Sequence, residues 1–385
     1  MVPNEWEILS LSQVSKVIDC KHRTPHYVES GIPLISPGTI KWGALDLTSP
    51  TKRVTEDEYQ SLMDHCTVEI GDLVMSRNQS VGVLSFVDSM KPFVLGQDTV
   101  LIKAEKSDSK YLFYKIQSEE VQKRIVRLAG GSTFARINLS DIRKLILECP
   151  PLVEQKKIAQ ILSTWDQAIS ATEKLLENSQ QQKKALMQQL LTGKKRLLDE
   201  NGVKFSDEWQ RIELGLLLDY QQPTPYLVES TAYSDSYETP VLTAGKTFIL
   251  GYTNESSGIY QDQLPVIIFD DFTTDSKYVN FPFKAKSSAM KILTAKKGVS
   301  IKFVFEAMQM LQFTVGGHQR HWISIFSNLV IPLPNKKEQQ QIEEVLSLAD
   351  QEIETLQKKL DCLQQEKKAL MQQLLTGKKR VKVAA

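Results

Sequence analysis

KKALMQQLLTGKKR occupies Lys183–Arg196 and recurs without a change at Lys367–Arg380. It closes a longer repeat. Glu154–Arg196 aligns on Glu338–Arg380 with no gap, at an offset of 184, and 26 of 43 residues are identical. Chance does not produce such a match, so the chain is an internal duplication, and its fold is read from the repeat outward.

Each copy reads as one long helix. The apolar positions of the first are Ile158, Leu162, Trp165, Ile169, Leu176, Leu186 and Leu190. Those of the second are Ile342, Leu346, Ala349, Ile353, Leu356, Leu360, Leu363, Leu370 and Leu374. Their steps alternate four and three, a heptad seam, and Gln, Lys and Glu fill the faces between. Pro150 and Pro151 precede the first helix, and Pro332 and Pro334 the second. Gly193 and Gly377 stand where a left-handed cap ends a helix, with Lys194–Arg196 and Lys378–Arg380 at the negative end of each dipole. One such helix would lie on a globular core; two matched seams in one chain are expected to pair with each other.

The orientation follows from the seam lysines. In a parallel, in-register pair Lys183 would face Lys367 in an apolar seam, where like charges are costly. An antiparallel pair centred on residues 174 and 358 instead sets Lys183 against Ala349 and Lys367 against Trp165, whose ring can carry the lysine stem. Each helix follows its own domain, so this pairing is expected to place one domain at each end.

Composition bounds the class. The 385 residues suffice for two or three domains, and 41% hydrophobic with 24% charged residues is a globular balance. No apolar run is long enough to span a bilayer, and MVPNEWEILS lacks the pattern of a secretory signal. Cys20, Cys66, Cys149 and Cys362 show no CxxC spacing, which fits the cytoplasm and argues against a zinc site or a disulfide framework. A net charge of +1 leaves nucleic-acid binding open, because basic surfaces can be offset elsewhere.

The duplication extends to the segments before the helices. Both open on a tryptophan, Trp6 and Trp209, and both carry a short apolar strand after proline, in Ile32–Gly43 and Thr239–Gly251. A buried-type strand ending in polar residues follows, in Gly71–Ser80 and Leu264–Thr274. Next come Phe93–Ala104 against Phe283–Ala295, then amphipathic helical stretches at Ser109–Leu128 and Val299–Phe313. These end in Gly130-Gly131 and Gly316-Gly317. Last apolar strands, Leu145–Leu147 and Leu329–Ile331, lead into the long helices. The expected division is a first domain over 1–150, a helix over 151–196, a second domain over 197–334 and a helix over 335–381. Residues 197–208 read as the linker opening the second half. Near-identical helices joined to diverged domains describe one frame carrying two different reading heads.

With the EQKKI and EQQQI helices ending LLTGKKR, the SPGTIK and TAGKTFILGYT boxes and the Gly-Gly box before each helix, the whole chain resembles the specificity subunit of type I restriction–modification systems. The resemblance implies an α+β protein: two globular target-recognition domains joined by two long helices pairing as an antiparallel coiled coil, a pseudo-two-fold internal repeat. It implies that each domain reads one half of a bipartite, asymmetric double-stranded DNA site. It implies a scaffold for two methyltransferase (modification) subunits and for restriction/translocase subunits. This chain would then hold no catalytic residue, cofactor or metal, and S-adenosylmethionine, ATP and Mg²⁺ would belong to the partners.

The residues agree with a non-catalytic reading. Glu148–Leu152 (ECPPL) lacks the aromatic of a methyltransferase box, and no GxxxxGK[ST] is present. Phe269–Lys277 (FDDFTTDSK) has an Asp…Asp-x-Lys look, but acidic residues at a strand end more often meet solvent or a base edge. His318 and His321 lack further ligands at metal spacing. The other class to weigh is a stand-alone nuclease or methyltransferase with a coiled-coil dimerisation element.

DNA contacts are expected where strands end and loops begin. The first domain offers Lys21, His22 and Arg23, Ser36, Thr39 and Lys41, Arg77, Asn78 and Gln79 after Ser76, and Ser132, Thr133 and Arg136. The second offers Thr243, Lys246 and Thr247, Asp271, Thr273 and Thr274, Lys284, Lys286, Ser287 and Ser288, and His318, Gln319 and Arg320. Arg, Asn and Gln read base edges by paired hydrogen bonds, whereas Lys and Ser more often hold phosphate. Arg77, Asn78 and Gln79 are the leading candidates for base readout.

Overall fold

A computed structural model describes residues 3–130, 135–243, 245, 247–311 and 321–382. The chain divides into two compact units, residues 1–173 with 359–385, and residues 174–358. The division falls inside both long helices.

The first unit runs β1 (Glu7–Ser10), α1 (Leu11–Val14), β2 (Ser15–Asp19), β3 (Ile32–Ile35), β4 (Gly43–Ala44), β5 (Arg53–Val54), α2 (Glu56–Met63), β6 (Leu73–Ser76), β7 (Leu84–Phe86), β8 (Val94–Leu95), β9 (Thr99–Ala104), α3 (Ser109–Gln117), α4 (Glu119–Leu128), α5 (Leu139–Arg143) and β10 (Ile146–Cys149), before α6 (Leu152–Leu190). The second runs β11 (Gln210–Glu213), α7 (Leu214–Leu217), β12 (Leu218–Gln221), β13 (Thr239–Leu242), β14 (Ile249–Thr253), β15 (Val266–Asp270), β16 (Ser276–Val279), β17 (Lys284–Ala285), β18 (Met290–Ala295), α8 (Ile301–Gln309), α9 (His321–Ser324) and β19 (Val330–Leu333), before α10 (Lys336–Leu374).

The strand orders repeat. The main sheet is β2-β9-β6-β7-β4 in the first unit and β12-β18-β15-β16 in the second. A smaller sheet is β5-β3-β8 in one and β14-β13-β17 in the other, and in both its middle strand pairs parallel with the strand before the turn into the long central one. First and last strands close each head antiparallel, β1 with β10 and β11 with β19. The expected common topology is therefore present in both halves.

Continuous apolar runs make the central strands because both faces are covered. Leu73 and Met75 enter one core with Val100 and Ile102, while Val74 and Leu101 enter a second core under the small sheet. In the second unit Ile267 and Phe269 face one core, and Val266 and Ile268 the other. Period-two alternation deals successive side chains to the two layers.

One expected element differs. Ser109–Leu128 is two helices rather than one, because Ser118 turns extended (ψ 144°) and its hydroxyl donates to Lys115 O at 2.6 Å. The Phe93–Ala104 landmark forms β8 and β9, parted by a turn at Gly96–Thr99.

Each long helix is 39 residues, and its caps are those the repeat announces. Gly193 and Gly377 take φ of +71° and +72°, and Lys195 N and Lys379 N reach back to Gln189 O and Gln373 O. A left-handed glycine with a six-residue return bond satisfies the last carbonyls of the helix. At the start, Gln155 Nε2 and Gln339 Nε2 donate to Pro150 O and Pro334 O, both at 2.8 Å.

Within each unit the helices pair antiparallel. In the first, Arg380 meets Glu154 and Lys367 meets Asp166; in the second, Arg196 meets Glu338 and Lys183 meets Asp350. The lysines face carboxylates one residue beyond the expected Trp165 and Ala349. The aspartates, themselves a repeated pair, supply the countercharge that an indole or a methyl cannot. Lys183 Nζ lies 2.6 Å from Asp350, and Lys367 Nζ lies 2.5 Å from Asp166 and 5.4 Å from the Tyr114 ring. Seam residues Ile158, Leu162, Leu176, Leu190, Ile342, Leu346, Leu360 and Leu374 are buried. Trp165, Ile169, Leu186, Ile353, Leu356, Leu363 and Leu370 are half-buried.

Candidate nucleic-acid interface

In the first unit the parallel strands β3 and β8 end on the same side, and the loops that leave them meet the loop after β6. A cleft of about 490 Å³ opens there. It gathers Arg23, Ser36, Thr39, Asn78 and Gln79 of the expected contacts, and adds Tyr27, Lys52, Gln97 and Asp98. The added residues had one legible signal: Gly96 interrupts an apolar run, the mark of a turn inside a strand pattern.

The loops are cross-tied. Arg77 N donates to Asp98 O at 2.8 Å, and Asn78 Nδ2 to Asp98 Oδ2 at 3.3 Å. Ile137 N donates to Arg77 O at 3.0 Å, and Arg136 pairs with Asp98 at 2.7 Å. Gln79 and Asp98 both hold left-handed backbones, φ 58° and 61°. Non-glycine residues take that conformation only where surrounding bonds over-determine it.

Several expected contacts are interior instead. Arg77 is only 5% exposed, and its guanidinium donates to both Asp19 oxygens (2.9 and 3.1 Å) and to Ile137 O. It braces the cleft rather than lining it, because it is the last buried position continuing β6. Asp271 is 2% exposed, accepts from Trp322 N at 2.9 Å and pairs with buried Lys291. Lys284 is 2% exposed, held by Glu255 at 2.6 Å and Ser257 O at 2.8 Å. All three charges neutralise a partner inside the fold, as burial requires.

The remaining candidates stand outside the core. Lys21 is bound to Asp64 and Ser61 O, and Arg23 is bidentate with Glu58 at 3.1 and 2.5 Å. The Glu58 carboxyl is held below its ordinary value by that guanidinium and by His26 N. Lys41 is exposed beside the cleft, anchored through its backbone to the Ser85 hydroxyl. In the second unit, Thr243 closes a turn onto Thr247 O, Thr273 is exposed, and Thr274 has φ 63°. Lys286 lies over the Tyr233 ring at 5.7 Å beside exposed Ser287 and Ser288. Ser132, Thr133, Lys246, His318, Gln319 and Arg320 lie outside the described residues, as does the His321 side chain.

The strings weighed for catalysis have structural partners. Glu148 binds Lys115 and Arg124, at 2.7 Å each; burial pushes its carboxyl up, and those two cations pull it below its ordinary value. Asp270 closes its own turn by accepting from Phe272 N and Thr273 N. Among the described residues one group has metal-ligand proximity, Asp19, Cys20 and His22, and there Asp19 already binds Arg77.

Two heads of one topology, each tied to the start of one long helix and the end of the other and differing in their loops, define a protein of the paired-recognition class. Residues 3–179 and 206–365 match the type I restriction modification DNA specificity domain. The chain belongs to that family. It is 26% identical, over 99% of its length and 95% of the relative's, to a putative type I restriction enzyme MjaX specificity subunit of Methanocaldococcus jannaschii. It is 54% identical over 132 residues to the EcoR124I/EcoR124II specificity subunit of Escherichia coli, a stretch spanning 33% of this chain and 32% of that protein. The crystal structure of a type I restriction-modification S subunit from M. genitalium shares the fold, with a TM-score of 0.68 at 17% identity over 97% of this chain and 98% of that one. Among the described residues no helix is long and apolar enough to cross a membrane.

Proposed function

We propose that this chain is the DNA-reading subunit of a type I restriction–modification complex and that it recognises a bipartite, asymmetric double-stranded site, one half-site per unit. The observation that carries the reading is the pairing of one strand order with two different loop sets. The loop after β6 carries Asn78 and Gln79 where the loop after β15 carries Thr273 and Thr274, and Gln97 after β8 has Ser287 as its counterpart after β17. Different polar residues in matched loops present different hydrogen-bond patterns, so the two half-sites differ.

The paired helices then serve as the frame for two modification subunits, and restriction/translocase subunits join that core in the cytoplasm. S-adenosylmethionine, ATP and Mg²⁺ belong to those partners, and adenine methylation and DNA cleavage are activities of the assembly. Mapping methylated adenines genome-wide in cells expressing this chain with its modification partner tests the reading. The expected result is one motif of two short, different sequences separated by unspecified bases. Methylation without such a motif, or methylation unaffected by loss of this chain, rejects it.

A further inference from the structure

We propose that the cleft of the first unit reads adenine-containing base pairs, through the side-chain amides of Gln79 and Gln97. The inference rests on the function proposed above and assigns the chemistry of one of its half-sites.

Gln79 and Gln97 sit on two tight turns that are bound to each other. Gln97 occupies the Gly96–Thr99 turn, closed by Thr99 N and Thr99 Oγ1 on Gly96 O. Gln79 occupies the turn after β6, held by the Ser76 hydroxyl on Asn78 O at 2.5 Å and the Ser80 hydroxyl on Pro37 O at 2.8 Å. Both glutamines are exposed at the cleft. The Gln79 amide has no hydrogen-bond partner among the described residues, and Gln97 donates one N–H to Thr24 Oγ1 at 3.2 Å, leaving its carbonyl open. Gly38 lies beneath the first: a Cβ there would stand 3.1 Å from Gln79 Oε1. Glycine leaves the amide room to lie across the floor of the cleft.

The charged groups around them are committed elsewhere. Guanine offers two acceptors in the major groove, which a guanidinium or an ammonium satisfies; adenine offers one acceptor and one donor, which an amide satisfies. Arg23 is bidentate with Glu58, Arg77 is buried on Asp19, and Arg136 pairs with Asp98. Withdrawing Arg23 toward a base would leave the Glu58 carboxylate facing phosphate. Asp98 is already engaged on both oxygens, by Arg136 and by Asn78, which makes it a weaker acceptor for cytosine. Lys52 lies over the Tyr27 ring at 5.0 Å, and a single charge on a flexible stem suits phosphate. Of the charged and amide side chains in the cleft, the two glutamines are left to read a base edge; the Ser36 and Thr39 hydroxyls there can donate or accept and so discriminate little.

The test measures binding of the full chain, assembled with its modification subunits, to duplex libraries randomised in each half-site. Gln79→Gly preserves the left-handed turn, and Gln97→Ala preserves the other. Each variant should lose about tenfold in discrimination at one A·T pair of one half-site, a factor of ten being about 1.4 kcal/mol. The second half-site should be unchanged, which also reports that the variant is folded. Placing 7-deazaadenine at the affected pair should weaken the unsubstituted protein by a similar factor and leave the variant indifferent. The inference is overturned if both variants keep full discrimination, if the loss falls on a G·C pair, or if 7-deazaadenine weakens protein and variant alike. Absence of any sequence preference in the unsubstituted complex would instead reject the function itself.

Discussion

Arg196 clasps Glu338. Its Nε and one terminal nitrogen reach the two carboxylate oxygens at 2.5 and 2.7 Å, and the Trp209 indole N–H donates to the same carboxylate at 3.0 Å. Arg380, Glu154 and Trp6 repeat the arrangement in the first unit, at 2.7, 2.8 and 3.2 Å. Each clasp joins the end of one long helix, the start of the other and the first tryptophan of a head. Both glutamates are buried, 0% and 3% exposed by side chain, so their charge depends on these donors.

Removing the carboxylate should therefore cost more than an exposed ion pair would. Glu338→Ala leaves the Trp209 N–H without an acceptor and Arg196 with only Asp207 O, and should destabilise the second unit by about 3 kcal/mol. Urea unfolding followed by tryptophan fluorescence measures it. A loss below about 0.5 kcal/mol would show that the clasp is incidental.

The repeated glycine caps should respond unequally although their sequence context is identical. Both need a left-handed residue, so alanine costs about 1 kcal/mol at either. At Gly377 the new methyl would also stand 2.3 Å from Pro3 Cγ, whereas at Gly193 the nearest atom is a Trp209 ring carbon at 3.5 Å. Gly377→Ala should be the more destabilising by about 1 kcal/mol in thermal unfolding. Equal losses would refute the contact.

Acid should weaken the second unit through Asp350. Burial pushes its carboxyl up, but Lys183 and Lys302 bind it and leave it below the ordinary 3.8. A lowered folded value means that ionisation stabilises the fold. The contribution is complete above about pH 4 and is lost as pH falls through the folded value. The urea midpoint should drop below about pH 4, and Asp350→Asn should flatten that drop. An unchanged pH profile in the variant would assign the loss to other carboxylates.

Arg77 and Lys41 should separate bracing from binding. Arg77→Ala takes the guanidinium from Asp19, which keeps Cys20 N and His22, and the side-chain donor from Ile137 O, and should cost about 2 to 3 kcal/mol of stability, with loss of first half-site preference following from the disturbed cleft. Lys41→Ala should leave stability within about 0.5 kcal/mol while weakening DNA binding evenly across sequences and lowering the salt slope by about 0.9. Stability data and binding titrations in a salt series decide. An Arg77→Ala protein of full stability would place that side chain at the DNA after all.

Thr274 offers a strained position in the second head. A β-branched residue at φ 63° is costly, so Thr274→Gly should stabilise the unit by about 0.5 to 1 kcal/mol. If the strain positions the loop for recognition, second half-site preference should fall at the same time. A destabilised variant would mean that the threonine hydroxyl, bound to Thr273 O, outweighs the strain.

By itself the sequence determined the elements whose causes are local. The duplication, the seam, the glycine caps, the order of strands and the antiparallel sense all follow from period, capping chemistry and the repulsion of two lysines. What it left undecided depends on partners distant in the chain. Arg77, Asn78 and Gln79 are adjacent and equally polar, yet one braces the cleft from inside, one ties two loops and one faces outward. The first role is set by Asp19, 58 residues away, and the second by Asp98, 20 residues away. Asp271 and Lys284 were drawn inward by Lys291 and Glu255 for the same reason: a charge is buried where folding brings its counterion. The one-residue offset in the helix pairing likewise follows from Asp166 and Asp350, whose value appears only when an ammonium stands opposite. Local chemistry chose the elements; tertiary contact chose which polar side chains brace the heads and which remain free to meet DNA.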